Sequence, residues 1–210
     1  MKVRKICFVV SSPLTVHAFL RHHIVELAKH YSVSLVANME GQKVDLTDLP
    51  LEEIIHVNIF RNINIQQDLL AVHQLTQILK DRNFDAVHSV TPKAGLIGMI
   101  AAKRAGIKNR IHIFTGQVWA TKKGIFRKIL IEIDKVIART ATQILVDGKS
   151  QRSFLIEHKI VSSNNSQVLG QGSISGVNES RFSPSQEVRD SVRNALNYSG
   201  DDVVFGFLGR

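Results

Sequence analysis

Three short clusters in this sequence carry side chains able to hold a polar ligand. Ser11-Ser12-Pro13-Leu14-Thr15 offers hydroxyls, with Ser12 and Thr15 as candidate contacts. His88-Ser89-Val90-Thr91-Pro92-Lys93 combines an imidazole, hydroxyls and a cation, and Thr115-Gly116-Gln117-Val118-Trp119-Ala120-Thr121 adds an amide and an indole. Hydroxyls, a lysine and the free N–H groups of a helix start suit a phosphorylated ligand. Acid–base work is poorly served, because no carboxylate pair lies in these clusters and Asp147 is the one acidic group in reach. Asp147 either joins the cleft or acts as a cap or turn residue before the helix that opens at Ser150.

The elements that would position these groups are legible in the spacing. Thr91 has the type of an N-cap, its hydroxyl free to accept a first-turn N–H. Pro92 fits the first helical position, where no N–H is needed. Ala94, Gly98, Ala101, Ala102 and Ala105 give that helix a small-residue side able to approach a sheet closely. A helix starting just after a parallel strand aims its positive end into the crevice at the strand's carboxyl edge, and Lys93 adds a full charge there. The plainer alternative is an ordinary strand–helix unit with Lys93 solvated. His88 either lines the cleft or is a satisfied core histidine. His23, Glu26 and His30 share a helix face, but their spacing matches no metal signature, so a solvated face is expected and no metal site.

Strand character recurs at Lys2–Val10, Ser32–Ala37, Ile54–Ile59, Asp85–Val90, Arg110–Thr115, Ile144–Val146 and Gln167–Leu169. Helical spacing separates these runs at Val16–His30, Gln67–Arg82 (Leu70, Leu75 and Leu79 inward), Gly124–Arg139 and Ser150–His158. Such alternation predicts an α/β fold, a doubly wound and mostly parallel Rossmann-like sheet. The first turn lacks a Gly-x-Gly-x-x-Gly fingerprint, which removes the main support for a dinucleotide-dependent dehydrogenase. Near Asn178 the pattern changes. We expect one domain over residues 1–178, a connection with a short helix over 179–202, and over 203–210 the opening strand of a second domain that has been cut off.

With 44% apolar and 21% charged residues, the chain can bury a core. Cys7 is the only cysteine, which fits a reducing cytoplasm, and no run is long enough to span a bilayer or to act as a signal-peptide core. A net charge of +9 favours an anionic partner. Nucleic acid is the weakest choice, since one Trp and two Tyr leave little for stacking and no binding motif is present. The Gly124–Arg139 helix is apolar on almost all sides and studded with cations. It is either a buried helix with a basic edge or an interfacial one, with Lys122, Lys123, Arg127 and Lys128 facing anionic lipid.

Five motifs in order then resemble the N-terminal domain of family-4 retaining glycosyltransferases of the GT-B fold. They are His88–Gly98, Thr115–Thr121, Val146–Gln151, Gly172–Asn178 with Arg181-Phe182, and Phe205–Arg210. The resemblance implies sugar transfer from a nucleotide-sugar donor to an acceptor held mainly by this domain. Chains with a Thr-Gly turn after the fifth strand resemble enzymes of capsule, O-antigen and other surface-polysaccharide assembly. Their acceptors are often polyprenyl-diphosphate-linked glycans at the inner face of the membrane, implying a cytoplasmic, peripherally bound protein. By position, Thr91 and Lys93 would face the cleft, Thr115, Gly116 and Gln117 would lie near the reacting centre, and Arg210 would hold the donor diphosphate. Gly116 stands where many relatives carry a histidine, and Ser11-Ser12-Pro13 where many have paired glycines. No catalytic residue is therefore assigned, and no cofactor is expected beyond the donor itself. Residues 1–210 alone are expected to be inactive, because most of the diphosphate-stabilising groups would lie in the second domain. Two other readings stay open: a sugar-nucleotide 2-epimerase of the same architecture, and a non-catalytic module that docks on membrane or protein.

Overall fold

The computed structural model describes residues 3–41, 44–60, 62–180 and 182–207. They fall into two compact units that meet between Ser175 and Gly176. In the first, β1 (Lys5–Val9) leads into α1 (Pro13–Thr15), a π-helical turn (Val16–Leu20) and α2 (Arg21–Ala28). Then come β2 (Ser32–Ala37), β3 (Glu53–His56), α3 (Ile65–Arg82), β4 (Ala86–Val90), α4 (Pro92–Arg104) and β5 (Asn109–Phe114). A 3-10 turn (Val118–Thr121), α5 (Gly124–Thr140), β6 (Gln143–Val146), α6 (Lys149–Glu157) and β7 (Ser166–Gln167) complete it. The strands form one sheet of order β3-β2-β1-β4-β5-β6-β7, and every pairing is parallel.

Strand alternation sends side chains to two cores. Cys7, Val9, Val87, Phe114, Ile144 and Val146 pack under α3, α4, α5 and α6. Phe8, Val10, Val33, Leu35 and Ile113 pack on the other face with Leu20 and Ile24, helped by Leu46, Leu49 and Ile174 from loops. The sheet is thus doubly wound as expected, but four of these helices lie on one face and α2 alone on the other.

The small residues of α4 do what their spacing suggests. A Cβ at Gly98 would stand 3.2 Å from Val9 Cγ1, and one at Gly95 only 2.5 Å from His112 Cε1. His112 is buried between α4 and the sheet with Nδ1 2.8 Å from Ser89 Oγ. Burial, with a smaller contribution from His88, pushes it down to about 3, so it is neutral.

Several expectations need correction. The first helix begins at Pro13, because Ser12 Oγ accepts the Leu14 N–H at 3.3 Å and Pro13 occupies the first turn. Leu70 points outward at 68% exposure, whereas Leu75 and Leu79 are buried. β3 covers Glu53–His56 rather than Ile54–Ile59, since its pairing ends with β2 at Ala37. In the second unit α7 (Gln186–Ala195) is capped by Ser185, whose Oγ accepts the Val188 N–H. Residues 203–207 form no strand, and Phe205 and Phe207 are exposed, because no neighbouring strand supplies a ladder among the described residues. Arg181, Leu208, Gly209 and Arg210 lie outside the described residues.

Candidate functional site

The strand order reverses between β1 and β4, whose following helices leave on opposite faces. A crevice at the carboxyl ends of such a strand pair is the usual ligand site of an open α/β sheet. Here it deepens into a cavity of about 640 Å³. Its polar wall is Ser11, Thr15, Thr91, Lys93, Asp68 and Asp134, with Asn62 from the loop before α3. Its apolar wall is Ile63, Leu96, Val118, Trp119, Phe126, Leu130 and Ile133. Thr15, Thr91, Lys93 and Trp119, singled out from three separate stretches, therefore share one hollow.

Thr91 does not cap α4 with its side chain. Its carbonyl accepts the Gly95 N–H at 2.8 Å, while its hydroxyl turns to Ser11 Oγ at 3.3 Å. Its backbone stands at φ 76°, ψ 146°. A β-branched residue there is an outlier, a conformation costing on the order of 1–3 kcal/mol, and such strain clusters at functional sites. Ser12 is taken up in starting α1 and leaves Ser11 to face the cavity.

Lys93 is not a free cation. Its Nζ donates to Asp68 Oδ2 at 2.5 Å, and the two side chains are only 12% and 18% exposed. Helix α3 supplies that carboxylate 25 positions away, which no local spacing could reveal.

Asp134 is the residue that sequence reasoning missed. It lies on α5 among apolar neighbours, 4% exposed, and its Oδ2 accepts the Trp119 Nε1–H at 2.7 Å. Burial pushes its carboxyl up to about 6, against the downward pull of the indole donor. The available signal was its place in the stripe Leu130, Ile133, Asp134, Ile137, where an acid replaces the apolar residue the period calls for. Trp119 is itself held firmly. It stacks on Phe154 at 5.2 Å, and the Arg127 guanidinium lies 5.2 Å from its ring centroid.

The other candidates lie elsewhere. Thr115, Gly116 and Gln117 follow β5 at the same edge but do not line the cavity. Gln117 Oε1 accepts from Gln151 Nε2 at 3.1 Å, and its own Nε2 is buried without a partner. His88 and Asp147 line a groove of about 620 Å³ on the opposite face, between α2 and β4, β5 and β6. Asp147 accepts the Ile174 N–H with its carboxylate and the Ser173 N–H with its carbonyl at 2.7 Å, so it pins the 172–174 turn. His88 packs 5.0 Å from Phe8, and burial foremost, then His23, pushes it down to about 4. Lys122, Lys123 and Lys128 are exposed, whereas Arg127 is half-buried over Trp119 and beside His158. The first turns of α5 expose Ile125, Phe126 and Ile129, while its last turns are buried at Ile137 and Ala138. Among the described residues, no cluster of His, Cys, Asp or Glu is placed to hold a metal ion, and no helix is long and apolar enough to cross a membrane.

A parallel sheet of this order with its cavity at the switch point is Rossmann-like, the fold found in the N-terminal half of GT-B proteins. The chain belongs to glycosyltransferase family 4, which residues 16–172 match. Over its whole length it is 27% identical to a capsular polysaccharide biosynthesis glycosyltransferase, CapM, of Staphylococcus aureus, covering 54% of that protein. Over 87% of the chain it is 22% identical to a UDP-Gal:alpha-D-GlcNAc-diphosphoundecaprenol alpha-1,3-galactosyltransferase of Escherichia coli, covering 46% of it. The chain thus spans about half the length of these curated relatives. In fold it is similar to the UDP-N-acetylglucosamine 2-epimerase of Rickettsia bellii, with a TM-score of 0.66 at 18% identity over 94% of this chain and 52% of that one.

Proposed function

We propose that this chain is the acceptor-side domain of a glycosyltransferase that moves a sugar from a nucleotide-sugar donor to a polyprenyl-diphosphate-linked glycan, in the assembly of capsule, O-antigen or other surface polysaccharide. The observation that carries the reading is the switch-point cavity in a chain of this family, lined in part by exposed apolar side chains. Exposed Ile63, Val118 and Phe126 line it, and Lys122 and Lys123 lie in the chain between the last two. Apolar side chains among lysines suit a surface lying on anionic lipid, where a lipid-linked acceptor would be presented at the inner face of the membrane. The named relatives support the same reading, one in capsule synthesis and one acting on a diphosphoundecaprenol acceptor.

In the reaction, this domain's part is to hold the acceptor hydroxyl against the donor sugar. Charge on the departing diphosphate needs fixed cations and N–H donors, which a second domain beginning near residue 203, with Arg210, would supply. The epimerase alternative needs a histidine acting beside carboxylates. Carboxylates are present after all, as Asp68 and Asp134, but no histidine lines the cavity among the described residues. A nucleotide-diphosphate release assay on the full-length protein tests the proposal. Release that requires an undecaprenyl-diphosphate-linked sugar is expected. Conversion of the donor to its C2 epimer without acceptor would establish the rival, and membrane binding with no turnover would leave only a docking module.

A further inference from the structure

Charge balance inside the cavity says what part of a substrate it takes. Lys93, the cavity's one lysine, is matched by Asp68 at 2.5 Å, and Asp134 adds a second carboxyl. No unpaired cation remains on this wall among the described residues. A diphosphate entering here would give up its water for a site of zero or negative net charge, which is unfavourable.

The remaining groups fit something else. One Asp134 oxygen is held by the Trp119 indole, and the carboxyl still has lone pairs to offer at the cavity surface. Ser11 Oγ and Thr91 Oγ1, 3.3 Å apart, both donate and accept. Leu96, Leu130 and Ile133 supply an apolar face between them. An acceptor-rich carboxyl, rotatable hydroxyls and an apolar wall are complementary to a ring that bears hydroxyls on its edge and C–H groups on its face.

Building on the acceptor-domain reading above, we infer that this cavity binds an uncharged pyranose of the acceptor through Asp134 and the Ser11–Thr91 hydroxyl pair, and leaves the diphosphate outside it. Asp134 is then a substrate-binding residue held in place by Trp119, and the Lys93–Asp68 pair is a fixed dipole of the wall.

The chain has a single Trp, so its one indole N–H resonance reports directly on Asp134. The resonance is followed by ¹⁵N NMR while the chain is titrated with methyl glycosides of glucose, galactose and N-acetylglucosamine, and separately with inorganic pyrophosphate. At least one glycoside is expected to shift it, and pyrophosphate to leave it in place. Asp134→Asn keeps an acceptor for the indole but loses the charge, and Ser11→Ala removes a hydroxyl from the far wall. Each should weaken the glycoside about tenfold, the effect of a lost charged or buried hydrogen bond. In the full-length enzyme Asp134→Asn should raise the acceptor KM by about the same factor and leave the donor KM unchanged. Silence with every glycoside, glycoside binding unaltered in both variants, or a pyrophosphate shift abolished by Lys93→Met overturns the inference. If glycosides bind as described but the full-length protein transfers no sugar, the inference stands and the transferase reading fails.

Discussion

The switch-point cavity and the groove across the sheet enclose nearly equal volumes, about 640 and 620 Å³, yet they are different kinds of space. The groove has a floor of strand side chains, Ile6, Phe8, Ala86, Ile111 and Ile113; of its polar members, His23 and Asp147 are spent on the backbone of Ile174, while the buried Nδ1 of His88 has no partner. The cavity is walled by elements from five separate stretches, holds a strained threonine, a part-buried ion pair and a carboxyl shifted by burial, and opens where the strand order reverses. Volume alone does not separate them. The groove has one polar group whose placement costs energy, His88, whereas the cavity gathers a strained threonine, an ion pair and a shifted carboxyl at the switch point, the concentration expected of a site that uses them.

Breaking the part-buried Lys93–Asp68 pair should have the largest effect. Lys93→Met leaves Asp68 in place without its cation, and a loss of about 3 kcal/mol is expected in chemical denaturation. A Lys93→Met, Asp68→Leu double variant should recover most of it. If the single variant is as stable as the parent, the wall is not held by that pair. Gly95→Ala drives a methyl group into the His112 ring, and overpacking of this kind costs about 1–3 kcal/mol. No comparable loss is expected from alanine at Gly116, where a Cβ meets open space.

The pH dependence sharpens the contrast further. Asp134 in the folded chain keeps its proton up to about 6, above its value in the unfolded chain. The stability it contributes is complete below the ordinary carboxylate range and is lost as pH rises through about 6. Asp134→Asn should therefore gain stability on the parent between pH 4 and 7, by about 2 kcal/mol. His112 and His88 act in the opposite sense. Both are held below the ordinary imidazole value, so the stability they contribute is present above that value and is lost as pH falls toward about 3 for His112 and about 4 for His88. Thermal melts of parent and Asp134→Asn across pH 4 to 8 check both signs. The smallest effect is at Thr91. Thr91→Gly relieves the positive φ, so stability should hold or rise by about 1 kcal/mol while glycoside binding weakens.

The sheet and the residues at its carboxyl edge were largely legible, because strand and helix periods and a Thr-Pro-Lys helix start are local signals. Thr15, Thr91, Lys93 and Trp119 could be named on that basis. Asp134 could not, since an acid inside an apolar helix looks like noise until the indole that reaches it is in place. The Lys93–Asp68 pair depends on the contact between α3 and α4. Leu70 was expected inward, but it lies on the face of α3 opposite buried Ala71, Val72, Leu75 and Leu79. Asp147 and His88 carry suitable chemistry, but the strand pleat and the 172–174 turn direct them to the other face.

The central claim is that the cavity, and not the groove, receives the acceptor. Full-length protein with Leu96→Trp obstructs the cavity, and Ile111→Trp obstructs the groove. Both are assayed for sugar transfer to a lipid-linked acceptor. The account predicts that Leu96→Trp lowers acceptor kcat/KM by about a hundredfold, as displacement of a bound substrate does, while Ile111→Trp stays within about threefold of the parent. A groove variant that loses transfer while the cavity variant retains it would contradict the account.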